Sequence, residues 1–193
     1  MKKLVFGLIA TVVFGFVGNA QDLRAKFLEG KTQDEIVADF NKLNDSEKTA
    51  LWVEKMDQLL NEDLPKENKV VISELRDMLL KNGYSSKVDG FVETVINLAK
   101  ITPLEDFEKM FCSLNDYTYN EKFIGTEKVP EEILSDLINI NNPINDVNLL
   151  DRKRDCSCRW SCWMTGGTAS TKCVITDGGC GFFLMQDCTH YPG

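Results

Sequence analysis

Six of the seven cysteines, Cys156, Cys158, Cys162, Cys173, Cys180 and Cys188, fall in the last fifth of this 193-residue chain. A stretch that short cannot build a self-sufficient hydrophobic core, so crosslinks or a metal must hold whatever it folds into. The rest of the chain is then read as a device that exports, carries or presents it.

The choice between crosslinks and metal depends on the compartment, and the first twenty residues address that. Lys2 and Lys3 form a basic start, Leu4 to Val17 is uncharged and apolar, and Gly18-Asn19-Ala20 sets small residues at −3 and −1. This is the pattern of a secretory signal cleaved after Ala20. It is short for a membrane span, and no cysteine follows it to carry a lipid. Export to a secreted or periplasmic location makes disulfides the default reading of the cysteines. Losing Lys2 and Lys3 takes the formal charge from −8 to −10. That disfavours a nucleic-acid partner, which would need phosphates neutralised by Lys and Arg.

The charge is unevenly distributed. Residues 21–150 carry 15 basic and 26 acidic side chains, whereas 151–193 carry 5 and 4. Two electrostatically distinct parts are expected: an acidic helical domain over 21–139 and a cysteine-rich module over 155–193, joined by a linker over 140–154.

Helix signals recur through the first part. Thr32 and Glu35 form a capping box ahead of Ile36, Val37 and Phe40. After the break at Asn44-Asp45-Ser46, Leu51, Trp52, Met56, Leu59 and Leu60 draw an apolar stripe opposite Glu47, Lys48, Glu54 and Lys55. Pro65 suits the first turn of the next helix and Gly83 the position beyond its end, with Val70, Val71, Leu75, Met78 and Leu79 inward. Ser85 or Ser86 is read as the cap of a helix through Phe91, Val95, Ile96 and Leu98. Thr102-Pro103-Leu104-Glu105 supplies an N-cap, a first-turn proline and an N3 glutamate for another. Cys112 lies in that helix and reads as a buried thiol, with a reactive thiol or a seventh bridging partner as the alternatives. Pro130-Glu131-Glu132 opens a last short helix through Ile133, Leu134 and Leu137. The expected fold class is mainly α: a bundle of about five to six helices, then a small disulfide-rich module containing a β-hairpin.

The linker is rich in asparagine and ends in Arg152-Lys153-Arg154. This tripeptide is either a solvated linker end or a processing site for a trypsin-like protease. Cleavage after Arg154 would free a peptide with two basic and three acidic side chains.

Within the module the spacing is C-x-C-x3-C-x10-C-x6-C-x7-C. Six cysteines allow 15 pairings. Cys156 and Cys158 sit roughly 6.5–7 Å apart on extended chain, so each is expected to pair elsewhere. Thr168 to Thr176 reads as one strand and Phe182 to Met185 as a second, with Asp177-Gly178-Gly179-Cys180-Gly181 as the turn between them. A Cys3His zinc set from Cys156, Cys158, Cys162 and His190 is disfavoured by export and by the absence of paired C-x2-C knuckles. No metal and no cofactor is expected. No G-x-S-x-G or H-E-x-x-H occurs, and Cys112 and His190 stand in different parts of the chain, so no catalytic residue is assigned and no enzyme is expected. Trp160, Trp163, Phe182, Phe183, Leu184 and Met185 exceed what so small a module can bury. They are read as a contact surface for a bacterial cell-surface component or a membrane interface; for Trp160 and Trp163 the alternative is packing across disulfides or against the helical domain.

The early Cys156-Ser157-Cys158, the Thr-rich approach to Cys173, the gap to Cys180-Gly181 and the late Cys188 resemble fulvocin C, a small cysteine-rich bacteriocin. The layout as a whole resembles exported fulvocin C-related proteins with a helical region ahead of the module. Fulvocin C has a second close cysteine pair near its end where this chain has Cys188-Thr189-His190, so its pairing does not carry over. The resemblance implies a secreted bacteriocin-like protein, with an acidic helical pro- or carrier domain and a disulfide-stapled effector. The alternatives are a non-toxic recognition module for a cell-surface protein or glycan, and an inhibitor presenting the loop Thr165 to Thr171.

Overall fold

The computed structural model of the protein describes residues 23–121, 125–131, 134 and 174–190. Among these, six α-helices run in order: α1 Leu23–Leu28, α2 Gln33–Lys42, α3 Asp45–Asn61, α4 Lys66–Asn82, α5 Phe91–Ile101 and α6 Leu104–Phe111. Two strands, β1 Val174–Cys180 and β2 Gln186–His190, pair antiparallel. The described residues are mainly helical, as expected from the sequence.

Several helix boundaries follow the expected chemistry. The Thr32 side chain accepts from Glu35 N while the Glu35 carboxylate accepts from Thr32 N, closing the capping box of α2. A second box, Asn44 with Glu47, starts α3, so the polar break after α2 is itself a helix start. Gly83 ends α4 with φ 76°, where its N–H reaches Leu79 O. Glu131 and Leu134 are helical, and Leu134 N donates to Pro130 O.

Other boundaries differ. Pro65 and Pro103 stand one position earlier than expected, as the residues preceding α4 and α6. Thr102 therefore ends α5 instead of capping α6, and its buried hydroxyl accepts from the Asn68 amide of α4 at 2.8 Å. The helix expected from Ser85 or Ser86 begins only at Phe91, after Gly90 in the left-handed region. On α4, Ile72, Leu75 and Leu79 are buried, Val71 and Met78 partly so, and Val70 is 58% exposed. Cys112 lies just past the end of α6 and is a free, half-buried thiol.

Helices α3 and α4 pack against each other across the short connection 62–65, tied by Arg76 Nε on Asp57 Oδ1 at 2.5 Å, and α5 packs on α4. The buried cluster draws on Phe40 of α2, Trp52 and Met56 of α3, Leu75 of α4, Phe91 and Leu98 of α5, and Phe107 and Phe111 of α6. It also contains Phe182, Phe183 and Leu184 from the connection between the strands, and β1 runs beside α2.

The hairpin differs from the expected one. Register pairs Val174 with His190, Ile175 with Thr189 and Thr176 with Cys188, then Cys180 with Gln186. Between the last two pairs β1 advances four residues and β2 two, so Asp177-Gly178-Gly179 lies in an irregularity of β1. The expected second strand, Phe182 to Met185, is instead the turn, with Leu184 N donating to Gly181 O and Met185 N to Phe182 O.

Candidate functional site

The turn Phe182 to Met185 has an unusual backbone for its sequence. Both central residues are left-handed, Phe183 at φ 55° and Leu184 at φ 57°. Two successive positive φ values are the type I′ combination, whose twist matches a hairpin and which asparagine and glycine normally supply. For residues with a Cβ the left-handed region costs about 1–2 kcal/mol each. Bulky side chains hold it only where the surroundings compensate.

The surroundings are an aromatic socket between the helices. Phe183 stacks on Trp52 of α3 with ring centroids 4.5 Å apart. Phe182 stacks on Phe107 and Phe111 of α6, each at 5.7 Å, and meets Phe91 of α5 edge-on at 5.9 Å. The two tip rings stack on one another at 4.2 Å. Phe182 and Phe183 are 0% exposed and Leu184 3%. Burying three such side chains stabilises by roughly 4–9 kcal/mol, which outweighs the turn's cost of about 2–4 kcal/mol.

One hydrogen bond reads the turn's backbone: the Tyr84 hydroxyl donates to Phe183 O at 2.8 Å. Burial pushes the Tyr84 phenol well above its usual range, with Asp45 adding to the shift, so it stays a donor at any ordinary pH. Tyr84 packs edge-on to Phe40 at 5.6 Å, and Lys48 Nζ stands over both rings. The Trp52 indole N–H, by contrast, is buried and has no hydrogen-bond partner among the described residues.

The tip residues are therefore not an outward contact surface. Contrary to the expectation from sequence, Phe182, Phe183 and Leu184 face the helical core and Met185 packs partly against it, because the aromatic rings of α3, α5 and α6 bury what the small module alone could not. Cys180 and Cys188 stand on the strands, paired in register with Gln186 and Thr176, and His190 is paired with Val174. Cys156, Cys158, Cys162, Cys173, Trp160, Trp163, Ala20, Arg152, Lys153 and Arg154 lie outside the described residues. Among the described residues no group of three or more His, Cys, Asp or Glu side chains is placed to hold a metal ion. Nor is any helix among them long and apolar enough to cross a membrane.

A second cluster explains how α3 is used on its other side. Glu54 and Lys55, expected on a solvated face, are both buried, Lys55 completely. Glu54 Oε2 accepts from Arg24 N of α1, and Lys55 Nζ donates to Asn115 O. Gln58 donates to Tyr117 O and accepts from Tyr117 N, and Glu62 accepts from Tyr119 N. Arg24 donates to Leu114 O and to Asp116 Oδ1, each at 2.5 Å. Positions 55, 58 and 62 thus form a polar ladder on α3 that receives the irregular segment 114–119. Tyr117 closes it from below, its hydroxyl donating to Asp106 Oδ1 at 2.8 Å while Asp106 Oδ2 accepts from Gly125 N.

Burial, with the Arg24 cation beside it, pushes the Lys55 ammonium down to about 7, against the opposing pull of Asp116 and Glu62. Burial raises Glu108 above the usual carboxylate range, helped by Glu105 and Glu127. Burial, then Glu108, holds the Cys112 thiol well above its ordinary value. A thiol kept protonated at neutral pH is a poor nucleophile. No family model, curated protein or solved structure matches the chain.

Proposed function

We propose that the chain is an exported, non-enzymatic, bacteriocin-like protein related to fulvocin C. Its acidic helical domain holds a cysteine-rich module, stapled by disulfides among Cys156, Cys158, Cys162, Cys173, Cys180 and Cys188, that acts on other bacteria at their surface or membrane. The observation that carries the reading is the burial of Phe182, Phe183 and Leu184 in the helical core. A helical region that takes in the module's own aromatic turn is a partner of that module, as a pro- or carrier domain must be, and more than a spacer. The contact surface of the module then consists of Trp160 and Trp163, with the tip withheld while it sits in the socket.

The test uses the mature chain, purified oxidised from its secreted form, before and after trypsin treatment that cuts beyond Arg152 to Arg154. Growth inhibition of related bacteria that appears on cleavage supports the reading. Cleaved and intact chains that both leave every related strain unaffected would sink it.

A further inference from the structure

The tip and its socket have the attributes of a ligand and a receptor. On one side stand two phenylalanine rings and a leucine, carried on a turn with a left-handed backbone. On the other stand flat aromatic faces from three helices, Trp52, Phe91, Phe107 and Phe111, together with a tyrosine hydroxyl that recognises the turn's own carbonyl. All of these socket residues are contributed by the chain before Cys112, and the tip enters more than sixty residues later. Withdrawing the tip would uncover the rings of Trp52, Phe91, Phe107 and Phe111 that it packs against or beside, apolar surface that a folded chain has reason to keep covered.

We propose that the helical domain is a binding protein for its own C-terminal hairpin: the socket holds the Phe182-Phe183-Leu184 tip without a covalent link, and goes on holding it once the chain between Leu134 and Val174 is cut. Cleavage therefore does not free the hairpin. It converts an intramolecular contact into a two-chain complex, from which the C-terminal fragment leaves at a rate set by the socket. The ligand class is a β-turn bearing two adjacent phenylalanines at its tip, with both central residues left-handed. The inference stands on the geometry of tip and socket, and holds whatever the hairpin goes on to act upon.

The experiment places a site-specific protease sequence between Pro143 and Leu149 of the full oxidised chain and follows the protein after complete cutting. The expected result is one species in native gel filtration containing both fragments at 1:1, which separates into two on a non-reducing denaturing gel. Fragments that elute apart at micromolar concentration overturn the proposal. So do fragments that stay joined on the non-reducing denaturing gel, since a bridge to Cys112, the single cysteine on the upstream fragment, would then be the link. Phe183→Ala should speed release about a hundredfold or more. If that variant does not fold, Tyr84→Phe, which removes only the hydroxyl, should still speed release roughly three- to tenfold. Release unchanged in Tyr84→Phe and in every foldable Phe183 variant overturns the assignment of binding to the tip. With Trp160 and Trp163 replaced by Phe, Trp52 is the only tryptophan left, and its emission should shift to the red as the fragment leaves.

Discussion

Phe183 combines a buried ring with a left-handed backbone, and a pair of substitutions separates the two. Phe183→Ala removes a fully buried ring stacked on Trp52 and Phe182 but leaves a Cβ at φ 55°. Truncations of this kind cost about 3–5 kcal/mol where the surroundings cannot collapse. Phe183→Gly removes the same ring and also relieves about 1–2 kcal/mol of left-handed strain. Against that, glycine costs roughly 0.5–1 kcal/mol through its freedom in the unfolded chain. The glycine variant should therefore be the more stable of the two, by about 0.5–1 kcal/mol, whereas on helical or extended backbone glycine is the worse by a similar amount. Guanidinium unfolding of the oxidised chain, followed by fluorescence and by circular dichroism, gives both differences, provided the slope with denaturant is unchanged. A Phe183→Ala cost below about 1 kcal/mol would place the ring outside the core. A glycine variant less stable than the alanine one would remove the left-handed turn from the account.

Three further outcomes are expected. Lys55 has its folded-state value near 7, below its ordinary value, so between the two the unfolded chain holds the extra proton and stability gains as pH rises. The wild type should gain about 1–3 kcal/mol relative to Lys55→Met between pH 6 and pH 9, and a flat difference across that range would refute the buried charge. Tyr117→Phe should lose about 1–2 kcal/mol by leaving Asp106 Oδ1 without its phenol donor, read as a lower guanidinium midpoint. Reduction in denaturant should add about 6 Da if three disulfides are present. Alkylation of the unreduced chain should then label Cys112 alone, slowly when native and fast when unfolded, and any other labelling pattern refutes the assignment of Cys112 as the free thiol.

What could be read from the sequence was chemistry local to a few residues. Thr32 with Glu35 closes a capping box because both partners lie within one turn, and Gly83 ends α4 because no other residue takes φ 76° cheaply. The same local signal was present at Asn44 and Glu47, where a helix start reads as a mere break. Proline positions carried an ambiguity of one residue. At Thr102 that residue decides whether the hydroxyl caps a helix or satisfies the buried Asn68 amide from α4.

Illegible positions are those whose partner lies far along the chain. Lys55 sits where a charged residue between apolar ones ordinarily meets water, and nothing within a turn of it says that Asn115 O will come to cover it. Its burial is explained only once Arg24, Gln58 and Glu62 are seen to bond the same segment. The ladder is a tertiary object with no period of its own.

Phe182 to Met185 is the sharper case, because its local signals point to the wrong answer. Four large apolar residues in a row after a glycine-rich stretch have strand propensity, and the glycines have turn propensity. The chain uses the glycine-rich residues as an irregularity within β1 and bends at Phe183-Leu184, the pair least suited to a type I′ turn. No property of the hairpin alone favours that exchange. It becomes favourable only when the socket of α3, α5 and α6 supplies a place for both rings, so the turn's conformation is a consequence of docking. A hairpin withdrawn from the socket then has no reason to keep its left-handed tip. Shifting the bend into Asp177-Gly178-Gly179 would relieve the strain and move the pairing register with it. Held and released forms of the C-terminal segment should therefore differ in register as well as in exposure, and amide exchange protection at Ile175 and Thr176 is where that difference would be read.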